Sequence, residues 1–443
     1  MKKSKKFISV TLVVSLVMAL FLPVSAFAGQ VSYDITSPYE TVDWENWNQY
    51  QAQLHTHTLY SDGTVDVKDV VERYYELGYD ILAVTDHGVV NKGWNKVPEV
   101  MDLIGYNQYI NKFEPMSQER YEEITIHGTG RDGRPMLDVP YGIELNALVI
   151  RKNHVNGFFV DYGNGILGRE EDYETVIKGN SEAGGITFIN HPGDFIAANK
   201  ENGRAEDYNQ LKVFIDPLMK YDSCVGIEIF NLRDTTDRAD RILWDTILQY
   251  TIPQGKNVWG FANDDSHALD DIDVTRDIML MPELSNEALR TAMENGTFFA
   301  VSRYEWGDRI GTTKEYPTVT SIVVDDVNDT ITITGKNTDS IKWVADGVYI
   351  QEDTVSVNGV CMSTIKLQNY TGDISCYVRA ELNGAGGRTL TQAFVCDDGN
   401  MDELVNRTDK INLPALDFIG AFRKILKTIL SVFTGVIVPE ISK

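Results

Sequence analysis

The sequence predicts an α/β domain built on a parallel sheet, followed by a small all-β sandwich. Three observations predict it. From about residue 51 to 310, short apolar runs alternate with segments whose apolar residues recur at helical spacing; this is the pattern of strands joined by covering helices. Between 316 and 398 the period changes to two, interrupted by Asn, Asp and Gly, as in short half-buried strands. The chain has 443 residues, 43% hydrophobic and 10% aromatic. That is too long for one ordinary domain and rich enough for a large core.

Lys2, Lys3, Lys5 and Lys6 give a positive start, residues 7–24 are apolar, and Ala26-Phe27-Ala28 forms a small-x-small cleavage pattern before Gly29. Residues 1–28 therefore read as a signal peptide, and a secreted protein is expected. Residues 29–50 are polar with Trp and Tyr, a leader expected to pack on the α/β domain. Val67, Val70, Val71, Tyr74 and Leu77 then recur at helical spacing, with Asp66 as N-cap and Gly78 as the stop. Residues 81–84 come next as a buried strand, with further strands expected at 141–145, 186–189, 225–230 and 258–262. Ile322, Val324, Ile331, Ile333, Trp343, Tyr377, Val378, Phe394 and Val395 mark the sandwich over 316–398, and Gly384, Gly386 and Gly387 a hairpin turn. Phe418, Phe422, Ile425, Ile429, Phe433 and Val436 lie at helical spacing near Arg423, Lys424 and Lys427. The charge-free run 428–438 is shorter than the ~20 residues of a membrane span. Residues 413–438 are thus expected to form an amphipathic helix that docks on its own protein, contacts a membrane or cell surface peripherally, or mediates assembly.

The formal charge is −25, and removal of residues 1–28, with four lysines and no acid, makes it −29. Such a surface repels nucleic acid and anionic membranes at long range. A nucleic-acid partner is therefore disfavoured, while bound divalent cations would invert the charge locally and admit a small phosphorylated substrate. Cys224, Cys361, Cys376 and Cys396 include no C-x-x-C pair, which argues against a thiolate zinc knuckle and leaves room for one disulfide in the last third. No G-x-S-x-G elbow or P-loop is present.

The histidines carry the chemistry. Of seven, six fall at or just after expected strand ends in polar, Gly- or Asp-bearing surroundings. His55-Thr56-His57 is a strand-like H-x-H whose alternate side chains reach one side, with Asp62 in the next turn. Thr85-Asp86-His87 closes one buried strand, and Glu144 closes another, where an acid is costly unless paired or metal-bound. His154, Asn190-His191-Pro192-Gly193 and Asp265-Ser266-His267 complete the set. These hard-to-borderline donors suit Zn, Mn or Fe(II). They are too many for one structural zinc, and the count suits two or three ions that could clamp a phosphate and acidify a water.

In order and in type, His55-Thr56-His57 with Ser61-Asp62-Gly63, Thr85-Asp86-His87, Gly142-Ile143-Glu144, His191-Pro192-Gly193 and Asp265-Ser266-His267 resemble the PHP (polymerase and histidinol phosphatase) family. The resemblance implies a distorted (β/α)7 barrel over 51–312, a site at the strand C-terminal ends, and phosphoester hydrolysis. It implies that His55, His57, Glu144 and Asp265 hold one ion and that Asp62, His87 and His267 hold a second. Glu144 would bridge to a third, with His154 and one further ligand. Many relatives carry a His after the strand matching 226–230, where this chain has Asn231. Either His191 completes that site, or the Asn231 amide oxygen does, or the third ion binds weakly.

The expected function is a secreted metal-dependent phosphoesterase with Asp265 and His191 in catalytic roles, His191 or an ion-held water protonating the leaving group. Arg233 and Arg303, with Arg131 and Arg134, are candidates to grip a phosphate. His127 reads as a loop residue, and Glu228 as either support for the site or a structural acid. One rival keeps the centre and cleaves amides or other esters. Another is a non-catalytic extracellular binding protein, its sandwich binding glycan and its barrel a metal-bound scaffold.

Overall fold

The computed structural model describes residues 31–99, 114–146, 152–168, 172–233, 239–354, 356–401 and 404. The expected signal peptide and C-terminal amphipathic helix lie outside the described residues.

Five strands, β1 (Asp34–Thr36), β2 (Asn48–Gln53), β3 (Ile81–Leu82), β4 (Leu137–Asp138) and β5 (Ile143–Leu145), precede β6 (Val155–Phe158), β7 (Ile186–Ile189), β8 (Cys224–Asn231) and β9 (Trp259–Asn263). Next come β10 (Thr275–Met281), β11 (Phe298–Ser302) and the short hairpin β12 (Tyr304–Glu305) and β13 (Asp308–Arg309). The β-rich region comprises β14 (Thr318–Asp325), β15 (Thr330–Lys336), β16 (Ser340–Ala345), β17 (Val348–Asp353), β18 (Ser356–Val357), β19 (Val360–Lys366), β20 (Tyr377–Gly384), β21 (Gly387–Leu390) and β22 (Phe394–Asp397). Helices including Val67–Glu76, Glu174–Glu182, Tyr208–Lys220, Asp240–Thr251 and Asn286–Asn295 connect the strands of the first part. The first of these buries Val67, Val70, Val71, Tyr74 and Tyr75 on one face, as its apolar spacing requires. No described helix is long and apolar enough to cross a membrane.

One sheet has the order β5-β6-β7-β8-β9. Its β7-β8 and β8-β9 pairs are parallel, but β6 runs antiparallel to both β5 and β7. The all-parallel expectation is corrected here, and the reason is loop length. Only residues 146–154 join β5 to β6, too few for a crossover helix and enough for a reversal. Another sheet continues through β11-β10-β2-β3-β4. The two sheets touch at single bridges, Thr56 with Ser266 and His87 with Glu144. No continuous ladder closes a barrel among the described residues.

The β-rich region is not laid beside this body as a separate layer. β11 pairs with β21, so the sheet runs on through β20 and β22 to β1. Along β10, Met279 and Met281 face one core while Ile278 and Leu280 face another formed with β14, β15, β16 and β19. The leader enters that second core through Tyr33, Ile35, Tyr39 and Val42, and β1 pairs with β22. The disulfide allowed for by the sequence does not form: all four cysteines are free and buried.

Candidate metal centre

The strand directions decide which side chains meet. β2, β3, β5, β7, β8 and β9 deliver their C-terminal ends to one rim, and reversed β6 brings its N-terminal end there. His55 and His57 follow β2, His87 follows β3, Glu144 lies in β5, and His154 immediately precedes β6. His191 follows β7, Asn231 ends β8, and Asp265 and His267 follow β9. Two of these have left-handed backbones, His191 at φ 29° and Asp265 at φ 45°. Non-glycine strain of this kind costs ~1–3 kcal/mol and is characteristic of functional sites.

Glu144 is the hub. Its carboxylate lies 3.3 Å from His55 Nε2, 3.2 Å from His57 Nε2, 2.9 Å from His87 Nδ1, 3.2 Å from His154 Nδ1 and 3.5 Å from His191 Nε2. Asp265 Oδ1 sits 3.2 Å from His55 Nε2 and 3.1 Å from His57 Nε2. Asp62 reaches His87 Nε2 at 3.4 Å and His267 Nε2 at 3.3 Å. Asp62 and His267 are each 34% exposed and Glu144 only 1%, so the cluster opens to solvent on the Asp62–His267 side.

The residues fit a divalent cation. His154 Nε2 and His191 Nδ1 are buried with no hydrogen-bond partner, and the Nε2 atoms of His55 and His57 face each other at 3.1 Å. Buried polar atoms are rarely left so, and imidazole with carboxylate is the donor set of Zn, Mn or Fe(II). Three groups place their ligand atoms within 4.8 Å of one another: His57, Asp62, His87 and His267; His55, His57 and Asp265; His87, Glu144 and His154. His57 and His87 are each shared between two groups.

The charges are tightly interlocked. Burial disfavours the charged form of His57, yet Asp265 and Glu144 raise it to about 9. His87 and His267 are likewise raised to about 9 against burial, by Glu144 and Asp62 and by Asp62 and Asp265 respectively. For His154 burial prevails over Glu144 and lowers it. Burial alone would raise Glu144, but His87, His154 and His55 hold it well below its ordinary value.

Other candidates fall elsewhere. Arg303 is buried and donates to the carbonyls of Thr313 and Lys314, so it secures a turn instead of presenting itself to a phosphate. Arg131 is buried against Asp80 and the Gly78 and Tyr79 carbonyls. Arg233 is half-exposed, 3.3 Å from Asp271 and bonded to the Asp270 carbonyl. His127 is exposed on the helical turn Glu123–His127. Asp86 accepts from the Thr58 amide and hydroxyl and from the Ser61 hydroxyl; it braces the loop between His57 and Asp62.

Sequence reasoning missed a floor of amides beneath the cluster. Asn190 donates to Glu144 Oε1 at 2.6 Å and to Asn156 Oδ1 at 2.9 Å, and Asn156 donates to the Leu54 carbonyl. Asn263 accepts from the Leu54 amide. Buried amides directly after or within apolar runs, at 156, 190 and 263, were the available signal.

Residues 53–243 match the PHP domain family model. No curated protein matches the chain. Among solved structures, a two-domain protein containing a predicted PHP-like metal-dependent phosphoesterase from Bacteroides vulgatus is 17% identical with a TM-score of 0.42, covering 83% of this chain and 100% of that one. A lesion-specific endonuclease from Pyrococcus furiosus is 12% identical with a TM-score of 0.34, covering 56% of each chain. An amidohydrolase from Chromobacterium violaceum is 15% identical with a TM-score of 0.29, covering 49% of this chain and 87% of that one. At these levels neither substrate nor activity transfers.

Proposed function

We propose that this chain, with its PHP-type segment over 53–243, is an exported metal-dependent phosphoesterase that acts on a small phosphorylated substrate. The observation that carries this reading is the convergence of eight imidazole and carboxylate side chains, from five separate strand ends, into three overlapping ligand groups. Divalent ions there would supply Lewis-acid charge for a phosphoryl group and a water of lowered pKa. His55, His57 and Asp265 would hold one ion, Asp62, His87 and His267 with His57 a second, and Glu144 with His87 and His154 a third.

The remaining work falls to the chain's own groups. Asp265 Oδ2 accepts from Asn231 Nδ2 at 3.2 Å, which fixes the carboxylate while Oδ1 faces His55 and His57. His191, at the start of the helix Pro192–Phe195, would hand a proton from its imidazole to the leaving oxygen. Phosphate would enter on the open Asp62–His267 side. Export rests on the signal-like residues 1–28, and the charge of −29 after their removal favours a small substrate over nucleic acid.

The test is turnover of phosphomonoesters, phosphodiesters and amides by protein loaded in turn with Zn, Mn and Fe(II). Phosphoester hydrolysis lost by more than ~100-fold in His57→Ala and Asp265→Asn is expected, beyond the range of changes outside the ligand set. Amide cleavage without phosphoester cleavage would replace the substrate class. Turnover retained in both variants would overturn the reading.

A further inference from the structure

Glu228 lies inside β8, fully buried, and is a member of none of the three ligand groups. Four donors converge on its carboxylate. His55 Nδ1 lies 2.7 Å and Asn263 Nδ2 3.0 Å from Oε1, while the His191 amide at 2.9 Å and Asn231 Nδ2 at 2.8 Å reach Oε2. A β-bulge between Glu228 and Phe230 permits this. Strict alternation would place residues 228 and 231 on opposite faces; the extra residue puts them on one.

We infer that Glu228 is the positioning residue of the metal centre, locking His55 in the Nδ1–H tautomer so that Nε2 faces the ions, and clamping the exits of β7, β8 and β9 at their ligand-bearing spacing. The chemistry is that of an acceptor-only group. A carboxylate offers hydrogen to no partner, so the hydrogen between it and His55 resides on Nδ1. Nε2 is then the lone pair turned toward Glu144 Oε1 and Asp265 Oδ1. The same carboxylate turns the Asn231 amide nitrogen toward itself and Asp265, which sets the amide's orientation. Through Asn263, which also accepts from the Leu54 amide, Glu228 fixes the backbone directly before His55. Orienting partners of this kind govern metal affinity by ~10–100-fold. A glutamine of the same shape would set an NH₂ against two of the four donors.

This inference rests on the proposed metal centre but not on the substrate. Metal-free full-length protein and Glu228→Gln are titrated with Zn²⁺ against a chromophoric chelator, with melting of the metal-free forms measured alongside. The expected result is a loss of Zn²⁺ affinity of ~10–100-fold in at least one equivalent. In the Zn²⁺-loaded wild type, a ¹⁵N-histidine spectrum should place a downfield, exchange-protected hydrogen on Nδ1 of His55, and that signal should be lost or shifted in the variant. Unchanged Zn²⁺ affinity in Glu228→Gln, even with lowered melting, would overturn the proposal. Should that variant fail to fold, the wild-type spectrum decides alone: His55 bound through Nδ1, with hydrogen on Nε2, also overturns it. Glu228-dependent Zn²⁺ binding without phosphoester turnover would sink only the phosphoesterase reading. Turnover with Glu228-independent binding would sink only this one.

Discussion

Asp138 ends β4 and belongs to none of the three ligand groups, its Oδ2 accepting the Trp94 amide at 3.1 Å. Burial pushes its carboxyl up from 3.8 to about 7, only partly offset by the Trp94 amide and the Tyr121 hydroxyl. Proton counts give the sign. Below pH 3.8 both folded and unfolded chains carry the proton, and nothing is lost. Between 3.8 and 7 the unfolded chain releases it and the folded chain keeps it, so stability falls as pH rises. Above 7 the loss is complete, at most roughly 4 kcal/mol. Asp138→Asn should therefore be more stable than wild type at about pH 8 and close to it near about pH 4, as denaturant midpoints at the two values would register. A constant difference across that range would refute the assignment. At this scale the imidazole and carboxylate side chains that the structure brings together could be picked out because their types and places after strand ends are local features. Glu228 was read as either support for the site or a structural acid, and neither its partners nor those of Asn156, Asn190 and Asn263 could be read, because they lie up to 209 residues away, as with Leu54 and Asn263. Arg303 departs from expectation for a related reason: its chemistry suits phosphate, but chain folding gives it two carbonyls first.

Helix ends show how much a single local signal can carry. Gly78 follows the helix Val67–Glu76 at φ 90°, and Gly296 caps Asn286–Asn295 at φ 70°. Glycine serves at both because it alone takes this conformation without strain. Their surroundings differ. A Cβ at Gly78 would meet nothing within 4 Å, whereas at Gly296 it would lie 2.5 Å from the Trp259 ring. Gly78→Ala should cost only the left-handed backbone, ~1–2 kcal/mol. Gly296→Ala should add ~1–3 kcal/mol of overpacking. Equal losses in chemical denaturation would mean that Trp259 moves aside freely. The strands at 186–189, 225–230 and 258–262 were readable as elements because each is an apolar run between breakers. Their direction was not. Nothing in 155–158 itself reverses β6; the short connection 146–154 does, and that reversal brings His154 to the rim. The bulge after Glu228 is equally silent in sequence, since it depends on the register with β9.

The whole molecule is knit more tightly than two independent halves would be. β10 and β11 contribute alternate residues to both principal cores flanking them, and the N-terminal β1 adds the last strand beyond β22. Sequence periodicity registered the change from α/β to β-rich at about 316 but not this continuity, because a strand buried on both faces carries no mark of which neighbours it joins. A buried ion cluster crosses the same boundary. Arg379 of β20 donates at 2.7 Å to both oxygens of Asp245, in the helix Asp240–Thr251, and at 2.7 Å to Glu381, while Tyr377 also donates to Asp245. Arg379→Met would leave Asp245 and part of Glu381 buried without their cation, at a cost of ~3–5 kcal/mol. Lys342→Met, breaking the half-exposed pair with Glu352 at 3.6 Å, should cost under ~1 kcal/mol. Because strands are shared, calorimetry of the full chain should show one cooperative transition that Arg379→Met moves down as a unit. Two resolved transitions, with only the β-rich one shifted by the substitution, would mean that the shared sheet does not couple the two parts and that the centre keeps its geometry without the β-rich region.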